Sequence, residues 1–151
     1  MKDKVIKFLA TGFCAGYIRF TPGTMGTIVG IPIYLAYCLL PMVLRIIIVL
    51  ALLALSIYIS GRAEKLFKKK DDQRIVIDEI IGLQITMLPA AVMPLSIFIG
   101  FVLFRVFDIL KPYPLHRLQK LPGGWGVVLD DVGAGIYAGA LMMLLLFLGV
   151  I

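Results

Sequence analysis

The chain has 151 residues, 61% of them hydrophobic and 16% charged, with a mean hydropathy of +1.02. Soluble domains carry about 25% charged residues and about 45–50% apolar ones, so too little polar surface is available to coat a globule in water. The formal net charge of +6 falls mainly in segments that flank apolar runs, which points to a bilayer as partner and not to nucleic acid.

From the N-terminus, Lys2, Lys4 and Lys7 precede a short apolar stretch that Thr11 and Gly12 interrupt, so a cleavable signal peptide is not expected. Cys14 and Cys38 have no metal-ligand spacing and are expected to be buried, inert thiols. Thr21-Pro22-Gly23-Thr24-Met25-Gly26-Thr27 stands just before the first apolar run. Its glycines would let backbone approach a ligand, and a helix start supplies free N–H groups. The same residues also serve as an ordinary turn and cap, and both readings stay open. Thr21, Gly23, Thr24 and Thr27, with Arg19 before them, are candidate phosphate-binding residues.

Apolar runs follow at 27–40, 43–60, 80–93, 95–110 and 127–151. They predict an all-α, polytopic membrane protein of about five transmembrane or partly embedded helices, forming a single domain over 1–151. The runs at 27–40 and 80–93 fall short of the roughly 20 residues that a spanning helix needs. Either their ends lie in a protein-lined polar zone or one segment is re-entrant. Pro32 and Pro89 are expected to kink their runs. The one polar connector, Gly61 to Arg74, starts with a helical continuation at Ala63–Phe67 and carries Lys65, Lys68, Lys69 and Lys70.

With the N-terminus inside, those lysines, the N-terminal ones, Arg19, Lys111, Arg117 and Lys120 share the cytoplasmic side, and only Arg45 faces out. That asymmetry follows the positive-inside rule. Of nine acids, Asp3, Glu64, Asp71 and Asp72 lie in basic, water-facing segments and read as a solvated face. Asp78, Glu79, Asp108, Asp130 and Asp131 adjoin apolar runs, and the threading brings all five to one cytoplasmic level. Carboxylates at membrane depth are costly unless paired, metal-bound or in a wet cavity. Arg105 and Lys111 do not balance five of them, so one or two hard cations are expected, with Mg²⁺ the leading candidate. Two plainer readings compete: an Arg105–Asp108 ion pair along one helix, and Asp130-Asp131 as a helix N-cap.

Cys14 and Arg19 lack the gap of a cysteine phosphatase loop, there is no Asp-x-Asp motif, and His116 is the only histidine. His116 reads as an interfacial side chain. Metal-assisted attack by water remains as a phosphatase chemistry. A cation channel would use the same acids, but near the midplane or along a pore.

Together, Gly12-Phe13, Pro22 to Gly26, Ile77 to Gly82, Phe104 to Asp108 with Lys111 to Pro114, and Gly123 to Gly126 with Asp130-Asp131 and Ala134-Gly135 resemble the phosphatidylglycerophosphatase A family. The resemblance implies a Mg²⁺-dependent phosphatase of the bacterial inner membrane, acting on an anionic phospholipid. With it, Asp78, Glu79, Asp108, Asp130 and Asp131 are expected to be catalytic and metal-binding, and Thr21, Gly23, Thr24, Thr27, Arg105 and Lys111 to bind substrate. In one place the chain departs from the family pattern: Ile18-Arg19-Phe20-Thr21 stands where a Ser-Pro step is usual, which makes Arg19 a candidate for headgroup binding. Oligomeric state is not legible in the sequence.

Overall fold

In the computed structural model, which describes residues 2–90 and 92–151, the chain is all helical, with no strand among the described residues. Seven α-helices follow in order: α1 (Asp3–Ala10), α2 (Pro22–Tyr37), α3 (Met42–Phe67), α4 (Ile77–Thr86), α5 (Pro94–Leu110), α6 (Leu115–Leu118) and α7 (Gly124–Phe147). A short 3₁₀ turn at Ala15–Tyr17 lies between the first two.

Prolines and left-handed residues set the limits of these elements. Pro22 opens α2 and Pro94 opens α5 at first-turn positions, where a missing N–H costs nothing. Lys68 and Lys111 close α3 and α5 in left-handed conformations. At 1.5 Å per residue, the 26 residues of α3 extend about 39 Å and the 24 of α7 about 36 Å. These two have the length and apolarity to cross a bilayer. Only 22% of the most apolar window of α3 is buried in the molecule, so it is not the core helix of a soluble domain. Exposed Phe98, Ile109, Ile136, Met143 and Phe147 extend the apolar surface. Such a surface suits lipid tails and would associate in water. Of the about five transmembrane or partly embedded helices expected, these two have the length to span alone, whereas α2 has 16 residues, α5 has 17 and α4 has 10.

The short α4 lies at the centre. Eight of its ten residues are buried, and it packs against α2, α3, α5 and α7. Its apolar run continues to Met93, but the helix ends at Thr86, so Pro89 follows the helix and does not kink it. Arg45 explains how a helix can stop there. It is buried, and its Nη2 donates to the carbonyls of Met87 at 3.0 Å and Leu88 at 2.7 Å. A cation at a helix C-terminus satisfies free carbonyls and meets the negative end of the dipole. Arg45, which the sequence assigned to the outer side, is an internal cap.

Gln84 ties α4 to α2. Its Nε2 donates to Gly30 O at 2.9 Å and Ile80 O at 3.1 Å, and its Oε1 accepts from the Tyr37 hydroxyl at 2.8 Å. On the opposite side, α4 meets α7 almost backbone to backbone. A Cβ on Gly135 would lie 2.5 Å from Gly82 O. Small residues permit that approach, and it sets the acidic start of α4 against the acidic stretch of α7. A second small core of Ile6, Ala10, Ile59, Ala63, Ile75, Ile77 and Val127 fixes α1 beneath the same end.

Candidate active site

Three helix termini and the body of α7 converge at one end of the bundle. The first turn of α4 carries Asp78 and Glu79, and the last turn of α5 carries Asp108, followed by Lys111 at its cap. Asp130 and Asp131 are the seventh and eighth residues of α7. They are too deep in that helix for an N-cap role, which removes the cap reading. The cleft between these elements encloses about 490 Å³. Its lining includes Arg19, Thr21, Pro22, Gly23, Asp71, Gln73, Asp78, Glu79, Asp108, Lys111, Asp130 and Asp131.

The five acids divide by partner. The Arg105 guanidinium donates from Nη1 to Asp108 Oδ2, so the intrahelical ion pair is present. Lys111 Nζ donates to Asp130 Oδ2 and lies 4.0 Å from Asp108 Oδ1, bridging α5 to α7. Asp78, Glu79 and Asp131 form no ion pair among the described residues, and one oxygen from each lies within 4.8 Å of the others. Glu79 Oε2 and Asp130 Oδ1 are buried without a hydrogen-bond partner. A buried carboxylate oxygen left unpaired is costly. Five carboxylates against two cations, with oxygens converging and unsatisfied, form a donor set suited to a hard divalent cation.

Gly23, at the second position of α2, faces this group. A Cβ there would fall 2.3 Å from Glu79 Oε1 and 3.1 Å from Arg105 Nη1. Any side chain would therefore occupy the space between the helix start and the acids. The other turn residues separate in role. Thr21 lines the cleft, whereas Thr24 does not. Thr27 is fully buried and its hydroxyl donates to Gly23 O at 2.8 Å. That back-bond occupies the Thr27 hydroxyl inside its own helix.

The connector before α4 also differs from its sequence reading. Asp72 is buried, not on a solvated face, and holds Arg74 through two bonds, Nε to Oδ1 at 2.8 Å and Nη2 to Oδ2 at 2.9 Å. The bonds from Arg74 hold the Asp72 carboxyl below its usual range. Asp71 lines the cleft and accepts from Gln119 Nε2 at 2.9 Å. Cys14 is exposed and not buried, with φ of +78°, while Cys38 is buried. His116 is exposed and lines a neighbouring depression with Lys70, Asp71, Gln119 and Lys120, outside the acidic cleft.

The family model for Phosphatidylglycerophosphatase A matches residues 8–146, a span that contains every residue of this cleft. The chain belongs to the phosphatidylglycerophosphatase A family. A protein of Escherichia coli strain K12 named "Phosphatidylglycerophosphatase A" is 32% identical over 136 residues, covering 89% of this chain and 79% of that protein. One of the same name from Haemophilus influenzae is 37% identical over 138 residues, covering 88% and 83%. A third, from Bacteroides thetaiotaomicron, is named "Putative phosphatidylinositol-3-phosphatase" and is 34% identical over 141 residues, covering 86% of each. No solved structure matches the chain.

Within this family member, all five acids selected from sequence line one cleft with Lys111, and Arg105 is joined to it through Asp108. Asp71 and Gln73 are the polar lining residues that the sequence did not assign to the site. They sit in a lysine-rich connector, where polar residues give no contrast.

Proposed function

We propose that the chain hydrolyses the terminal phosphomonoester of phosphatidylglycerophosphate, giving phosphatidylglycerol and inorganic phosphate, with Mg²⁺ as cofactor. The observation that carries this reading is the convergence of Asp78, Glu79 and Asp131 beside Gly23 at the start of α2. Family membership supports the substrate class. Asp78, Glu79 and Asp131 would hold the metal, with Asp130 Oδ1 adjacent; bound there, Mg²⁺ supplies Lewis acidity toward a phosphoryl oxygen and a nucleophilic water.

The remaining work falls to the chain's own groups. Gly23 leaves room for the phosphoryl group against the first-turn N–H groups of α2, which have no intrahelical acceptor. Arg105, held by Asp108, and Lys111, held between Asp108 and Asp130, direct positive charge at the oxygens that gain charge in the transition state. Water adds to phosphorus as the phosphorus–glycerol oxygen bond breaks; a carboxylate of the acidic group takes the water's proton, and the departing glycerol oxygen is protonated to the alcohol by that carboxyl or by solvent water.

The reading places the cleft at headgroup depth on the cytoplasmic side of a bacterial inner membrane. The N-terminus and the 62–74 connector lie on that side, and α2, α4 and α5 are embedded beside α3 and α7. The decisive experiment is phosphate release from phosphatidylglycerophosphate by purified protein in detergent, with Mg²⁺ and after chelation. Release that requires Mg²⁺ is expected. Equal release after exhaustive chelation would remove the metal from the mechanism, and no release under either condition would remove the activity. Phosphatidylinositol 3-phosphate, the lipid in the Bacteroides relative's name, is the comparison substrate.

A further inference from the structure

Two cavities meet at Arg19. The acidic cleft is one; the other, of about 230 Å³, is lined by Gly16, Tyr17, Ile18, Arg19, Pro22, Gln73 and Arg74. Arg19, Pro22 and Gln73 line both. The positive groups around them are largely committed. Arg105 is held by Asp108, Lys111 by Asp130, and Arg74 by Asp72. Arg19 forms no ion pair among the described residues and is exposed. It is therefore the cleft-lining cation with a free guanidinium.

Its depth in the membrane follows from its neighbours. Tyr17 is 51% exposed, Ile18 42% and Phe20 85%. Aromatic and aliphatic side chains so exposed around an arginine seat a segment in the interfacial layer, where lipid phosphates lie.

We propose that Arg19, assisted by Gln73, binds the phosphodiester of the lipid substrate while the acidic cleft holds its phosphomonoester. This rests on the proposed function, because it assumes a lipid carrying both groups, separated by its polar alcohol. A guanidinium offers a planar fork of donors to phosphate oxygens, and the Gln73 side-chain amide adds another donor. The second cavity gives the diester a place beside the cleft and outside the carboxylate field. Arg19 is then a specificity residue: it favours lipids with two phosphates over those with one, and makes no contact with the reacting phosphorus.

The test uses the full chain in mixed detergent–lipid micelles. KM and kcat are measured on phosphatidylglycerophosphate for the wild type, Arg19→Lys and Arg19→Met. Inhibition constants are measured for phosphatidylglycerol, which carries only the diester, and for inorganic phosphate, which probes only the cleft. In Arg19→Met, KM and the phosphatidylglycerol inhibition constant are expected to rise together by about ten- to hundredfold, the worth of hydrogen bonds to a charged group. The inorganic phosphate constant and kcat should stay within about twofold. Arg19→Lys, which keeps charge but not the fork, should fall between. A matched rise in both inhibition constants, a loss confined to kcat, or no change in KM would overturn the assignment. Melting temperatures of the variants separate these outcomes from misfolding. Absence of wild-type turnover on this lipid would instead overturn the proposed function, and is read before any variant is compared.

Discussion

At the scale of single residues, Gly23 and the acids facing it carry the sharpest expectations. A valine at 23 would place its Cβ within 2.3 Å of Glu79 Oε1, so the carboxylate must leave the group it forms with Asp78 and Asp131. Gly23→Val is expected to abolish turnover and to remove the rise in melting temperature that Mg²⁺ confers on the wild type. The second readout matters, because ligand-linked stabilisation reports binding without chemistry. A Gly23→Val protein that still melts higher with Mg²⁺ would separate the glycine from the metal site. Asp78→Asn and Asp131→Asn should each lose turnover by orders of magnitude together with that Mg²⁺ effect. Asp108→Asn should keep the Mg²⁺ effect, since its carboxylate is engaged by Arg105. Three of these acids retaining near-normal activity on substitution would refute a metal centre here. Thr24→Ala should be mild, because Thr24 does not line the cleft. The five acids were legible because carboxylates beside apolar runs need a compensating partner. The Arg105–Asp108 pair was legible from its three-residue spacing, but the Lys111–Asp130 pair and the converging trio were not, because the rotation and packing of separate helices decide them.

At the scale of elements, α4 was the least legible. Hydropathy runs unbroken from Ile80 through Met93, so a sequence window does not register that the helix stops at Thr86. The stop depends on Arg45, 42 and 43 residues away from the carbonyls it caps. Arg45→Met removes both bonds and leaves those carbonyls buried. The expected cost is about 1.5–3 kcal/mol, as for bonds from a charged donor. It should appear as a lower melting temperature with kcat per folded molecule preserved, because Arg45 and the acids occupy opposite ends of α4. A loss of kcat at unchanged stability would contradict the cap. The connector that leads into α4 carries a pH dependence of its own. Arg74 lowers the Asp72 pKa below its unfolded value near 3.8, so the stabilising contribution is complete above that value. It fades as pH falls through the lowered folded-state pKa. Asp72→Asn should therefore reduce stability at neutral pH and flatten the acid limb of the stability profile. An unchanged limb would show that the pair contributes nothing.

For the whole molecule, the all-α architecture and the gathering of acids at one end were both readable, since apolar run lengths and basic asymmetry are averages that survive errors at individual helix ends. Two of the five apolar runs form helices long enough to span alone, and how far the shorter ones are embedded was not legible, because apolarity marks burial in protein as readily as burial in lipid: α4 is enclosed by other helices. Orientation is the remaining global expectation, and it is testable in spheroplasts with a membrane-impermeant maleimide. The native cysteines constrain the design. Cys14 is exposed and must be replaced by serine, while Cys38 is buried and can remain as an internal control. Lys68→Cys reports the end of α3 that adjoins the acidic cleft, and Leu39→Cys, at a position 86% exposed in the turn between α2 and α3, reports the opposite end. With the acids cytoplasmic, Leu39→Cys should label in intact spheroplasts and Lys68→Cys only after the membrane is opened or inverted. The basic residues at the cleft end set this direction, since positive loops are retained inside. The reverse pattern would place the cleft at the outer face, where a lipid made on the cytoplasmic leaflet does not reach it without translocation. Labelling of both positions in intact spheroplasts would mean that the chain does not span at all.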